Sequence, residues 1–141
     1  MSQSNVASGL DPATAQRTRV LVVEDDADSA ALLTALLQRV GYDAQFAHDG
    51  PAALAAARVW LPSVVLLDLG LPGMSGYEIA RVLRAEANGR DLHVIALTAS
   101  SDDTARQRSL EAGCECHLVK GVRLEALLAT IESSGLPRCR D

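Results

Sequence analysis

Five short segments, four of them mainly apolar and one (residues 43–47) mixed, recur along the chain, each about as long as a β-strand. Residues 20–23 and 64–67 are unbroken runs of Val and Leu. Such runs are typical of strands that are buried on both faces of a parallel sheet. The predicted strands cover residues 20–23, 43–47, 63–67, 93–97 and 116–119.

Between these runs, apolar residues recur at the spacing of a helix face. One face of the first helical segment, which Gly41 ends, carries the apolar residues Leu32, Leu33, Leu36, Leu37 and Val40. Asp49 is placed to cap the second helix. The predicted helices cover residues 27–40, 51–59, 77–87 and 101–113, and a last helix carries the inward-facing residues Leu124, Leu127, Leu128 and Ile131. Five successive βα units predict an α/β fold with a parallel sheet and helices on both faces.

Length and composition favour one domain. The chain has 141 residues, and domains typically have about 100–200 residues. Residues 1–18 and 134–141 lack periodicity, so we expect flexible tails on either side of a domain spanning residues 19–133. No apolar run approaches the ~20 residues of a membrane span, and the N-terminus lacks a signal-peptide pattern, so we expect a cytoplasmic protein.

Charge and residue usage exclude several functions. A net charge of −5 and an aromatic content of 3% argue against direct binding of nucleic acid. Cys114 and Cys116 form a C-x-C pair, but no second pair or suitably spaced histidine completes a zinc site. We expect these cysteines and Cys139 to be reduced thiols.

Polar residues follow four of the predicted strands. Glu24-Asp25-Asp26 follows the first strand, Asp68 the third, Thr98 the fourth and Lys120 the fifth. Ligands of open parallel sheets bind at the carboxyl ends of the strands. Crowded carboxylates at this edge predict a Mg²⁺ site, because Mg²⁺ prefers oxygen ligands. The alternative is a solvated turn whose acids only cap the next helix.

Asp68 is the most informative of these residues. It follows four consecutive apolar residues, and a carboxylate at the end of a buried strand needs a compensating partner. Beside Mg²⁺, such a carboxylate can act as a nucleophile toward phosphorus and form an aspartyl phosphate. The Thr98 hydroxyl and the Lys120 ammonium group could then stabilise the phosphoryl oxygens.

These motifs together resemble the receiver domain of two-component response regulators. The resemblance covers about residues 19–131, and the order and separations of its motifs agree with the family. It implies a flavodoxin-like (βα)5 doubly wound parallel sheet of five strands in the order 2-1-3-4-5. The matching stretches are VLVVEDD at 20–26, VLLDLGLPGMSG at 65–76, VIALTA at 94–99 and AGCECHLVK at 112–120.

The resemblance also implies roles for individual residues. Asp68 would be the phosphoacceptor, supplied by the phosphohistidine of a sensor kinase or phosphotransfer protein. Thr98 would be the switch hydroxyl and Lys120 would pair with the phosphoryl group. The implied Mg²⁺ ligands are the carboxylates of Asp25 and Asp68, the backbone carbonyl of Gly70 and, through water, Glu24.

Two positions depart from the family pattern. His117 stands where the family usually has an aromatic switch residue, and Gly121 stands where the family lysine is normally followed by proline. The resemblance implies that residues 101–131 form a signalling face for a downstream protein, and it leaves a homodimer open. Few residues follow the last predicted helix, so we expect no DNA-binding output and no direct contact with nucleic acid.

Three other functions compete with this interpretation. A phosphohydrolase of the haloacid dehalogenase type would carry an aspartate two residues after the nucleophile, where this chain has Gly70. A flavodoxin-like cofactor binder would need a phosphate-cradling loop after the first strand, where this chain is acidic. A degenerate receiver could act as an interaction module without phosphorylation. We expect a phosphoacceptor with at most slow self-dephosphorylation, and not a turnover enzyme.

Overall fold

The fold is a five-stranded parallel sheet with helices on both faces. The computed structural model describes residues 18–71, 73–87, 92–98, 107–108, 110–112, 114, 116–119 and 124–135. The sheet order is β2-β1-β3-β4-β5, and every strand pair is parallel. The elements are β1 (Arg19–Val23), α1 (Ala27–Arg39), β2 (Asp43–Ala47), α2 (Gly50–Trp60), β3 (Val64–Asp68), α3 (Gly76–Ala87), β4 (His93–Thr98), β5 (Cys116–Val119) and α4 (Leu124–Gly135).

The predicted fold class and strand order are confirmed. Each predicted strand lies within one residue of the observed one. The helix predicted over residues 101–113 is described only in part: residues 107, 108, 110 and 111 are helical, and residues 101–106, 109 and 113 lie outside the described residues. Most of the two predicted tails also lies outside them.

Successive side chains along each strand point to opposite faces of the sheet, so the core has two layers. Val23 and Leu67 face one layer, which α2 and α3 cover. Val22 and Leu66 face the other layer, which α1 and α4 cover. Because both faces of the sheet are covered, β3 is buried along its whole length, including Asp68 at its end.

Local signals set the ends of the helices. The Asp49 side chain accepts a hydrogen bond from the backbone N–H of Ala52 at 2.8 Å and caps α2, as predicted. α2 ends where Leu61 adopts a left-handed conformation with φ of 54°. Gly41 follows α1 with φ of 108°, a conformation that glycine adopts without steric cost.

No helix among the described residues is long and apolar enough to span a membrane.

Candidate metal centre

Three carboxylates meet at the carboxyl edge of the sheet. Glu24 and Asp25 directly follow β1, and Asp68 ends the neighbouring strand β3. One carboxylate oxygen from each residue lies within 4.8 Å of the others. Glu24 and Asp68 are buried, with 8% and 4% of their surface exposed, whereas Asp25 is exposed. This arrangement leaves the cluster open to solvent on the Asp25 side.

The parallel register of β1 and β3 produces this cluster. Val23 pairs with Leu67, so Glu24 and Asp68, the residues that follow them, lie side by side at the ends of the two strands. The backbone N–H of Glu24 donates to the carbonyl of Ala47 at 3.0 Å, which holds the end of β1 against β2. Backbone pairing of the strands, and not any attraction between the side chains, therefore brings these like charges together.

Backbone hydrogen bonds orient two of the three carboxylates. Asp68 Oδ1 accepts from the N–H of Gly70 at 2.9 Å, and Glu24 Oε2 accepts from the N–H of Asp26 at 3.1 Å. These bonds restrict the rotation of each carboxylate and partly offset the cost of its burial.

Asp26, the last acid of the stretch Glu24-Asp25-Asp26, has a different role. Asp26 is the N-cap of α1, and its Oδ2 accepts from the backbone N–H of Ser29. The capping alternative considered from the sequence therefore applies to Asp26, while Glu24 and Asp25 belong to the acidic cluster.

Close backbone packing fixes the loop after Asp68. A Cβ atom added to Gly76 would lie 2.7 Å from Leu69 Cα and 3.0 Å from the carbonyl oxygen of Asp68, so the start of α3 rests directly on the end of β3. The N–H of Leu69 donates to the carbonyl of Leu97 at 2.9 Å. Along the chain, Gly70 lies between Leu69, which this hydrogen bond holds, and Gly76, which packs on the end of β3.

Thr98 lies at the same edge of the sheet as the acidic cluster. It is the last residue of β4, the other neighbour of β3, and it is 8% exposed. Asp68 pairs with Leu97, so Thr98 lies one residue beyond Asp68 along the strand direction. The structure therefore brings Thr98 to the strand end beside Asp68.

The remaining predicted site residues are His117, Lys120 and Gly121. The backbone of His117 lies in β5, paired with Ala96, and its side chain lies outside the described part of the structure. Lys120 and Gly121 both lie outside the described residues, so their predicted roles stay predictions.

Two contributors to the site were not anticipated from the sequence. His48 follows β2, and its Nδ1 lies 3.2 Å from the carbonyl oxygen of Glu24. Gly76 allows the close approach of α3 to Asp68. Both residues carried a signal: His48 directly follows a strand at the ligand-binding edge, and Gly76 ends the matching stretch at 65–76.

Three carboxylates within 4.8 Å form a hard, oxygen-only donor set of the kind that binds small divalent cations. Their mutual repulsion favours a bound cation. The arrangement fits a metal ion beside a buried, oriented carboxylate that is a candidate nucleophile.

Comparisons with known proteins agree with this geometry. The family profile of the response regulator receiver domain matches residues 20–132. The DNA-binding response regulator MtrA of Mycobacterium leprae is 39% identical over 117 residues, which are 83% of this chain and 51% of MtrA. The response regulator PleD of Caulobacter vibrioides is 36% identical over 115 residues, which are 82% of this chain and 25% of PleD. The chain thus spans about half, or less, of the length of these curated relatives.

Solved structures show the same fold. The chemotaxis protein CheY4 of Vibrio cholerae superposes with a TM-score of 0.78 at 28% identity, covering 82% of this chain and 97% of that one. The BeF3-activated N-terminal receiver domain of RstA from Klebsiella pneumoniae gives a TM-score of 0.75 at 30% identity, covering 82% and 96%. With the profile match over residues 20–132, these likenesses show that the chain belongs to the response regulator receiver domain family.

Proposed function

We propose that this chain receives a phosphoryl group on Asp68 from the phosphohistidine of a histidine kinase or phosphotransfer protein. The observation that carries the proposal is the acidic cluster: Asp68 is buried at the end of β3, with the carboxylates of Glu24 and Asp25 within 4.8 Å. Burying a carboxylate beside two others costs free energy unless a bound cation or hydrogen bonds offset the burial and the repulsion.

The donor set supports Mg²⁺ as the cofactor. The carboxylates of Asp25 and Asp68 and the backbone carbonyl of Gly70 would hold the ion, and Glu24 would act through water. When bound, Mg²⁺ supplies the positive charge that offsets the carboxylates and the phosphoryl oxygens.

The transfer itself needs a fixed nucleophile. A carboxylate oxygen of Asp68 forms the new O–P bond while the P–N bond of the phosphohistidine breaks, and the imidazole keeps the electron pair of that bond and takes up a proton. The Gly70 N–H orients the Asp68 carboxylate for this attack. Thr98 on the neighbouring strand end would donate a hydrogen bond to the phosphoryl group, and Lys120 would pair with it.

The chain acts as a stoichiometric acceptor and not as a turnover enzyme. Gly70 occupies the position at which an aspartate-dependent phosphohydrolase would carry a second acid. Hydrolysis of the aspartyl phosphate would therefore lack a side-chain general base at this position and stay slow.

Partner choice follows from the same proposal. We expect a downstream protein to bind the face formed by residues 101–131, in the cytoplasm, without direct contact with nucleic acid. The net charge of −5 disfavours a nucleic acid partner.

The test is phosphoryl uptake from acetyl phosphate with Mg²⁺, followed by intact mass spectrometry. We expect one hydroxylamine-sensitive phosphoryl adduct on the wild-type chain and none on Asp68→Asn. Asp43→Asn is the matched control. Asp43 is an exposed acid at the start of β2, at the end of the strands opposite the acidic cluster, so its replacement should not affect uptake. No adduct on the folded wild-type chain would favour an interaction module that works without phosphorylation.

A further inference from the structure

A cation–π contact joins α3 to the helical segment that precedes β5. The guanidinium carbon of Arg108 lies 4.2 Å from the ring centroid of Tyr77. This distance is well inside the ~6 Å range over which such contacts are attractive. Tyr77 is the second residue of α3, and Arg108 belongs to residues 107–112, which we call the 107–112 segment.

The Tyr77 side of the contact is tied to the backbone at Asp68. Gly76 precedes Tyr77 and packs against the carbonyl oxygen of Asp68 and the Cα of Leu69. The N–H of Tyr77 donates to Ser75 Oγ at 3.0 Å, and its side chain packs on the apolar layer under α2 and α3. A displacement of the backbone after Asp68 must therefore carry the Tyr77 ring with it.

The Arg108 side of the contact is weakly packed where it is described. Gln107, Arg108, Leu110 and Glu111 are exposed. Gln107 Nε2 donates to Glu111 Oε2 at 3.3 Å, which is a bond within the segment and not to the rest of the fold. Ala112, at the end of the segment, is buried in the layer under α2 and α3, so the segment is held there and exposed around Arg108. An exposed part with few buried contacts opens at low free-energy cost, so the contact with Tyr77 has a measurable effect on its position.

We propose that the Tyr77–Arg108 contact couples the loop that follows Asp68 to the 107–112 segment. A change at Asp68 shifts the start of α3, and the stacked guanidinium transmits that shift to the segment. The coupling rests on the proposed function, whereas the anchoring of the segment by Tyr77 does not. The two parts can therefore be tested separately.

Hydrogen exchange of the protein alone tests the anchoring. Loss of an exposed cation–π contact should speed exchange in residues 107–112 by about two- to five-fold. We expect this in Tyr77→Leu and in Arg108→Gln, with no further increase in the double variant, since both remove one interaction. Tyr77→Phe, which keeps the ring, should exchange like the wild type. Arg81→Gln is the control, because it removes an exposed charge from the same helix.

The second arm adds beryllium fluoride and Mg²⁺ as a phosphoryl mimic. We expect the mimic to change exchange in residues 107–112 of the wild type and of Tyr77→Phe, and to change it less than half as much in Arg108→Gln. Unaltered exchange in both Tyr77→Leu and Arg108→Gln without the mimic would overturn the anchoring and leave the proposed function intact. A full mimic response in Arg108→Gln would overturn the coupling. No response in the wild type would contradict the proposed function and the coupling together, and the result without the mimic would still decide the anchoring.

Discussion

Asp26 Oδ2 accepts hydrogen bonds from the backbone N–H of Ser29 at 2.9 Å and from the Ser29 hydroxyl at 2.5 Å. This pairing commits Asp26 to the N-terminus of α1, while its neighbour Asp25 joins the acidic cluster with Asp68. Consecutive residues thus divide between holding a helix and forming a site, and each role predicts a different consequence of substitution.

Replacement of Asp26 by Ala should reduce stability. The change removes the N-cap, which typically costs about 1 kcal/mol of the free energy of unfolding. Urea denaturation measures this loss. Asp28→Ala is the control, since Asp28 lies in the first turn of the same helix but is not its cap. An effect of Asp26→Ala no larger than that of Asp28→Ala would contradict the capping role.

Replacement of Asp25 by Ala should weaken Mg²⁺ binding at least about tenfold, because the ion loses one of its few charged oxygen ligands. Isothermal titration, or NMR shifts at Gly70 and Asp68 during Mg²⁺ titration, measures the affinity. Asp26→Ala should weaken binding far less. Unchanged Mg²⁺ affinity in Asp25→Ala would remove this residue from the proposed ligand set.

Replacement of Gly76 by Ala should destabilise the fold by about 1–3 kcal/mol, because the new methyl group would meet backbone atoms that cannot move aside. The nearest is Leu69 Cα at 2.7 Å. Gly70→Ala is the comparison: its Cβ would lie an ordinary 3.5 Å from Asp68 Oδ1. Urea midpoints compare the two variants, and equal stability would show that α3 does not depend on this close approach.

Replacement of Thr34 by Val should raise stability by about 1 kcal/mol. The Thr34 hydroxyl is buried and has no hydrogen-bond partner within the described part of the chain. Val keeps the β-branched shape and removes the unpaired polar atom. Thr130→Val is the control, because Thr130 Oγ1 donates to the carbonyl of Ala126 at 3.0 Å. Thermal denaturation ranks the variants, and a destabilised Thr34→Val would mean that the hydroxyl is satisfied in solution.

Cys114 should be unreactive in the folded protein. Burial raises the pKa of its thiol from the ordinary 9.0 to about 12, against a smaller opposite effect of Arg84. A variant that lacks Cys116 and Cys139 should therefore react with maleimide at pH 8 only after unfolding. Because the unfolded thiol ionises first as pH rises, the free energy of unfolding should fall between about pH 9 and 12. Rapid labelling of the native variant would contradict the burial.

The sequence pattern predicts most of the fold because β1, β3 and β4 are mainly apolar runs that a polar residue ends or follows. Asp68 and Thr98 mark the ends of β3 and β4 in this way. The same pattern brings Glu24 and Asp68 to one edge, because parallel strands end together.

Other features depend on contacts between distant parts of the chain. The stacking of Arg108 on Tyr77 and the ion pair of Arg58 with Glu86 at 2.8 Å join residues that no local pattern relates. Gly76 belongs to a matching stretch of the sequence, but its close approach to Leu69 is visible only once β3 and α3 are packed together. The separate roles of Asp25 and Asp26 also become visible only when the direction of each carboxylate is known.

The central claim is that Asp68 is the phosphoacceptor, and chemical trapping tests it most directly. The chain is incubated with acetyl phosphate and Mg²⁺, treated with borohydride, which reduces an acyl phosphate to an alcohol, and digested for tandem mass spectrometry. The account predicts homoserine at position 68 and at no other acidic position. Homoserine at Asp25 or at any other acid, with an intact Asp68, would contradict it.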